Sequence, residues 1–345
     1  MKGFKYCGAF IIPALGLLTF YSTGIMAYLG LFILYVVIPI LEYTIPENSI
    51  NLERAEKELA QENIIYDLIL YIMIPLHLLV VYVFLTTISS NTLILSDLIA
   101  NVLSMGTILG IVGINVGHEL GHKTKEPFKI FLAHVLLTTS VQNHFVTYHN
   151  SGHHKDIGTP EDLTSAKEGD NFYLFGLKSQ IGGYFKTWKL ESKKLKSRGK
   201  AWYWNPMIIY TLLPVSLFMI IYLLFDPITM LTYFVASIYG ISVLEAQNYF
   251  AHYGLRRKKN DNGVYERVAP KHSWNSDHVI GRVLLFELTR HSDHHHMGGK
   301  PFQILDSADD SPLLPYGYPM MLLLSYFPFI FKPIMKKRLK LYGIK

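Results

Sequence analysis

Residues 98–122, LIANVLSMGTILGIVGINVGHELGH, carry an apolar run directly into a pair of histidines. From Leu98 to Val116 the run holds no charged residue and is long enough to cross about 30 Å of hydrocarbon. His118 and His122 then follow four residues apart, which places both rings on one helical face. A membrane span that ends in two adjacent imidazoles is a scaffold for a metal ion at the edge of the bilayer.

Further along the chain the pattern recurs. His149, His153 and His154 stand in YHNSGHH, His252 in NYFAHYGL, and His291, His294 and His295 in TRHSDHHH. His149 and His153 read as a second i, i+4 pair, with His154 turned about 100° away toward a different direction. His291, His294 and His295 follow i, i+3, i+4 spacing. A closed structural zinc site needs four ligands, so these nine imidazoles are enough for two ions with room for a further molecule. Imidazole suits zinc, copper, iron and nickel alike. Two redox metals beside an apolar domain point to dioxygen chemistry on a lipophilic substrate. The single cysteine, Cys7, excludes a disulfide framework and a cysteine-ligated iron centre within this chain.

Composition agrees with a membrane setting. With 345 residues, 50% hydrophobic, 17% charged and a mean hydropathy of +0.24, the chain is too apolar for an ordinary soluble domain. Six windows are candidate spans: Gly8 to Tyr21, Gly24 to Leu41, Ile65 to Leu85, Leu98 to Val116, Met207 to Phe225 and Ile228 to Phe250. The expected fold is therefore all-α, a polytopic membrane protein forming one integral-membrane domain over residues 1–345. Ser96 is placed to cap the fourth span. Asn205-Pro206 and Asp226-Pro227 each set a capping side chain before a proline at the first helical position, so the last two spans form a tight hairpin. A shorter apolar stretch, Met320 to Phe331, is cut by Pro319 and Pro328. It is expected in the membrane interface, with Lys336, Lys337 and Arg338 facing anionic headgroups.

Counting crossings puts all four boxes on one side, within segments 117–205 and 251–345. Lysine and arginine are abundant there, whereas Thr86 to Ser96 and the Asp226 turn carry none, so that side is expected to be the cytoplasm. Lys2 and Lys5 before an apolar run could pass for a signal peptide, but no convincing cleavage site follows, and an uncleaved first span is expected.

The quartet HELGHK, HNSGHH, NYFAHYGL and LTRHSDHHH resembles the membrane-bound non-haem di-iron hydroxylases, most closely the alkane 1-monooxygenases of the fatty acid desaturase and hydroxylase superfamily. The likeness extends to TPEDLTSAKEGDNFYLF and YERVAPKHSWNSDHVI. It implies a cytoplasmic di-iron site in the inner membrane, with His118, His122, His149, His153, His154, His252, His291, His294 and His295 as iron ligands. It also implies terminal hydroxylation: dioxygen is reduced by two electrons, one oxygen atom enters a methyl C–H bond of a medium or long n-alkane, and a primary alcohol and water result. Rubredoxin, reduced by a rubredoxin reductase, is the implied donor. The run Arg256 to Lys259 serves either as a steering patch for such an acidic protein or as a topogenic signal.

Nine neutral imidazoles leave the charge of two irons uncompensated, so carboxylates are expected to orient the rings. Glu119 and Asp293 lie within boxes, and Glu245 and Asn248 precede His252 on its helix. Asp156, Glu161, Asp162 and Asp277 are further candidates for that role, although each reads first as a surface acid or cap. Two departures from the family pattern stand out. Tyr148 and Ser151 occupy the places of a glutamate and an arginine in the second box, and Ala251 stands where NYxEHYGL has its glutamate. His77, His134, His144, His272, His278 and His296 lie outside the boxes and read as structural, although His77 falls within a span, where an ionisable residue is costly.

Two other functions compete. A related di-iron hydroxylase or desaturase acting on fatty acyl or alkyl-aromatic substrates shares the chemistry and differs in where the substrate stops. A metal transporter would instead hold its ligands near the bilayer midplane, whereas these boxes lie beyond the ends of the spans.

Overall fold

The computed structural model describes residues 2–90 and 92–344, and among these the regular elements are all helical. Six helices are long and apolar enough to cross a membrane: Lys2–Phe20, Gly24–Thr44, Ile65–Ser90, Leu95–Gly121, Pro206–Leu224 and Pro227–His252. They coincide with the six apolar windows and extend most of them. The first gains at its start, because Lys2–Phe10 is a 3-10 helix before the α-helix Ile11–Phe20. At 2.0 Å per residue instead of 1.5 Å, that tighter winding stretches the helix to roughly 33 Å, enough for hydrocarbon.

Caps explain several helix limits. Asn205 Oδ1 accepts from Met207 N at 3.0 Å, and Asp226 Oδ1 accepts from Ile228 N at 2.8 Å and Thr229 N at 2.9 Å. Ser96 does not cap the fourth span. That helix starts one residue earlier, at Leu95, and Ser96 Oγ turns to Asp97 Oδ1 at 3.4 Å. Asp97 in turn accepts from Gly24 N at 2.9 Å, fixing the start of the second span against the fourth.

Contacts divide the chain into two compact units. The first comprises Met1–Val37, Ile64–Val146 and Glu191–Leu244. Its central element is the fourth span, 78% buried, against 11% for Pro206–Leu224. Small residues put it there: a Cβ on Gly106 would lie 2.6 Å from Ala236 O, and one on Gly110 would lie 2.9 Å from Gly240 O. Such backbone approach is how helices pack where lipid removes the hydrophobic drive between them. His77 is buried in this unit, its Nε2 2.8 Å from Thr139 Oγ1, and His134 stacks on Tyr210 with centroids 4.7 Å apart. The Nδ1 atom of each is buried without a hydrogen-bond partner among the described residues.

The second unit comprises Ile38–Asn63, Thr147–Leu190 and Glu245–Lys345. Phe331 is buried against the rings of Tyr249 and Tyr253, with centroids 4.9 and 5.1 Å away. Arg290 is buried too; its Nη1 donates to Leu305 O at 2.6 Å, and its Nε stands 3.6 Å from Asp277. Asp277 is thus a buried counter-charge rather than a surface acid. The apolar stretch after Pro319 folds as two helices, Tyr318–Ser325 and Pro328–Leu341. Lys336 and Lys337 are exposed, but Arg338 is not directed at headgroups: its Nε donates to Leu313 O at 2.6 Å. A guanidinium with five donors meets backbone carbonyls left over by the loop before the helix.

Candidate metal centre

Within the second unit seven histidines converge. His153, His252, His291 and His295, all buried, bring one ligand nitrogen each to within 4.8 Å of one another, and so do His154, His294 and His295. The first group draws on three separate boxes. His291 Nε2 lies 3.0 Å from His295 Nε2 and 3.2 Å from His252 Nε2. Two imidazole nitrogens on one ion, with bonds of about 2.0–2.1 Å at tetrahedral or octahedral angles, lie roughly 2.9–3.4 Å apart. The observed spacings match that distance.

Hydrogen bonding between rings does not account for the cluster. A neutral imidazole offers one N–H and one lone pair, and His153 Nε2 is buried with no hydrogen-bond partner among the described residues. Burial, and then the neighbouring His291, His154, His153 and His252 rings, hold His295 well below its usual value. It is therefore neutral at pH 7, with a lone pair to give. The donor set fits a metal ion that accepts several imidazoles.

A π turn decides which histidine faces which group. His149–His153 closes i→i+5 instead of i→i+4. The added residue brings His149 beside His154, with Nε2 atoms 2.9 Å apart, and His149 also lies 3.5 Å from His294. His153 turns instead toward His252 and His295, with ring centroids 4.9 and 4.6 Å away. The expected i, i+4 partnership of His149 and His153 is thus replaced, and His153 rather than His154 points the other way.

In the first unit, His118 and His122 pair at the end of the fourth span. Their Nε2 atoms lie 2.9 Å apart and their rings are perpendicular. The span reaches them through another π turn, Leu109–Ile114, a feature often found beside functional sites.

Glu119 is buried with its carboxylate 3.5 Å from Lys123 Nζ. Asp293 accepts from Lys300 Nζ at 2.5 Å and Asp306 N at 2.7 Å, and so anchors the loop after the last box. Glu245 accepts from Gln180 Nε2 at 2.5 Å, and Asn248 is buried nearby on the same helix.

Asp162, which the sequence offers as a further candidate but reads first as a surface acid or cap, is hydrogen-bonded to a box histidine. It is 4% exposed, and its Oδ2 lies 2.8 Å from His153 Nδ1. Burial alone would push the Asp162 carboxyl up; the facing His153 ring and the Ser165 hydroxyl outweigh it and hold the group well below the ordinary carboxylate range. Thr164 Oγ1 and Ser165 Oγ donate to it at 2.7 and 2.5 Å. Tyr148 is buried with its hydroxyl 3.3 Å from Asp162 Oδ1. Burial, reinforced by Asp162, pushes that phenol up, so it remains a donor. Gln247 was missed: its Nε2 lies 3.4 Å from His291 Nε2. Asp156 pairs with Lys186 at 2.7 Å, and Glu161 is exposed, both in keeping with surface roles. His296 is exposed and turned to Val268 O, 3.2 Å away, outside the cluster.

In the run Arg256 to Lys259, Arg256 donates to Ser165 O at 3.2 Å and Arg257 to Glu266 O at 2.7 Å. Lys258 and Lys259 are left exposed.

The sequence matches the family model described as fatty acid desaturase over residues 92–324. It is 33% identical to alkane 1-monooxygenase 1 of Alcanivorax borkumensis, an alignment covering 94% of this chain and 81% of the relative. It is 32% identical to the alkane 1-monooxygenase of Pseudomonas putida over the same shares. A xylene/toluene monooxygenase hydroxylase component, also from Pseudomonas putida, is 24% identical over 96% of this chain and 87% of the relative.

Proposed function

The chain belongs to the fatty acid desaturase family, among the alkane 1-monooxygenases, and we propose that it hydroxylates the terminal carbon of n-alkanes at a centre of two irons ligated by its nine box histidines. The observation that carries the proposal is the buried group His153, His252, His291 and His295, assembled from three boxes with nitrogens at metal-ligand spacing. When bound, the irons supply the redox chemistry that activates dioxygen.

The chain's own residues prepare that site. Asp162 accepts the His153 Nδ1 proton, which fixes the tautomer and leaves Nε2 for the metal. Thr164, Ser165 and Tyr148 hold Asp162 in place. Burial keeps His295 neutral and excludes water from competing for the ion. Because the mean hydropathy is positive and six helices can span a bilayer, the substrate is taken from lipid rather than from water.

The finer features of this reading follow the family. Electrons come from rubredoxin and its reductase, and the chain works as one domain in the inner membrane with its histidines facing the cytoplasm. With Arg256 and Arg257 bonded internally, Lys258 and Lys259 are what that run offers an acidic donor. A second substrate class, alkyl-aromatic methyl groups, is favoured by the likeness to the xylene/toluene monooxygenase component.

Metal analysis of the purified protein, paired with NADH-driven turnover of octane and hexadecane by rubredoxin and its reductase, tests the proposal. About two irons per chain with 1-alkanol product is expected. His122→Ala, His154→Ala and His295→Ala are each expected to lose iron and activity together. Zinc, or no metal in folded protein, overturns the oxygenase; two irons with xylene but not alkane oxidised moves the chain to the second substrate class.

A further inference from the structure

The helix Phe172–Ser197 and the residues after it show a surface pattern that the metal centre does not use. Along one row of this helix, Tyr173, Leu177, Ile181, Phe185, Lys189 and Lys193 recur at every fourth residue, and all six are exposed. Each step of four turns about 40° round the helix, so the four apolar side chains cover an arc of about 120° and the two lysines lie beyond its edge. Exposures of 57%, 61%, 52% and 65% for the apolar four leave a stripe that these residues do not bury in the protein.

Beyond the row the chain stays basic and then becomes aromatic. Lys196, Arg198 and Lys200 are exposed, and with Lys189 and Lys193 they carry no ion pair among the described residues. Lys194, by contrast, sits 3.3 Å from Glu191. Trp202, Tyr203 and Trp204 follow as a 3-10 turn, 77%, 61% and 65% exposed. One residue later the fifth span begins at Pro206, with Met207 and Ile221 its only buried residues.

We propose that this segment is a binding surface for anionic phospholipid, the apolar row set into the acyl boundary, the five cations on headgroup phosphates and the Trp-Tyr-Trp turn at headgroup depth. The occupant is argued from continuity and charge. A lipid-facing span leaves directly from the aromatic turn, and Trp and Tyr prefer the interface. A cluster of four to eight cations beside a span is the pattern that recruits acidic lipid, each contributing about 1 kcal/mol near the surface. An acidic protein could answer the lysines, but it gives no reason for an exposed apolar row and three exposed aromatics next to a membrane helix. A topogenic role explains the cations at insertion and leaves the aromatics unexplained.

The test uses the full chain in bilayer nanodiscs with spin-labelled phosphatidylglycerol and phosphatidylcholine. The wild-type protein is expected to prefer the anionic label by about threefold or more at low salt, falling toward one in half-molar salt as charge is screened. Combined replacement of Lys189, Lys193, Lys196, Arg198 and Lys200 by Gln removes the preference while metal content and thermal stability stay as in the parent. Trp202→Phe with Trp204→Phe identifies the fluorescence quenched by lipid brominated near the headgroup. A wild-type protein with no anionic preference overturns the proposal, as does a preference that survives the five replacements. So does a variant whose lipid preference is intact but whose KM for the electron donor rises, because the surface then serves a protein.

Discussion

Asp162 shows how its neighbourhood in sequence can leave a side chain between two readings. It stands in a polar stretch rich in turn formers, TPEDLTS, where an acid is ordinarily a cap. In the fold Pro160 and Glu161 stay exposed but Asp162 turns inward, and its carboxylate meets His153. Asp162→Asn keeps an acceptor for the ring but removes the charge, and iron is expected to be lost to a competing chelator about 10–100 times more readily. An unchanged chelator profile would reduce Asp162 to a packing role. Ala251 presents the opposite case. The resemblance implies a glutamate there, yet Ala251 is fully buried, with its carbonyl accepting from Trp274 N at 2.8 Å. Ala251→Glu is therefore expected to destabilise by about 1–3 kcal/mol through overpacking, read as a lower unfolding temperature. A variant as stable as its parent would mean that space for the carboxylate is already present.

Helices carry the next layer of the argument. Apolar runs and caps at Asn205 and Asp226 are local features, and the structure places helices where they stand. The π turns at Leu109–Ile114 and His149–His153 are different, since nothing in the residue pattern distinguishes i→i+5 closure from i→i+4. Yet the second of these decides that His149 joins His154 while His153 turns away. The fourth span's glycines set how closely it can be approached. Gly110→Ala would put a Cβ 2.8 Å from Val243 and 2.9 Å from Gly240 O. The expected result is a loss of about 1–3 kcal/mol and a lower detergent denaturation temperature. A neutral outcome would show that the sixth span can shift.

For the protein as a unit in its membrane, the balance of lysine and arginine sets the expected orientation. With Cys7→Ser as background, a cysteine at Ser197 is expected to react with an impermeant maleimide only in opened or inverted vesicles, and one at Phe225 only from the outside. The reverse pattern would put the histidines outside and remove the cytoplasmic donor. The same basic segments that give this signal have diverged in use. Arg256, Arg257 and Arg338 are bonded to backbone carbonyls, whereas Lys193, Lys196 and Lys200 remain at the surface. Charge counts in the sequence treat these residues alike, and only their surroundings in the fold separate them.

Composition, six apolar runs and four histidine boxes were enough to establish an all-helical membrane protein with a polyhistidine metal site, because hydrophobicity and helical spacing are properties of a few consecutive residues. Pairing among the histidines, the burial of Asp162 and Asp277, and the bonding of Arg338 came from packing between segments distant in the chain. A buried polar group takes whichever partner the fold brings near it, since leaving it unpaired costs about 1–3 kcal/mol. That partner lies many residues away, where no local period points to it.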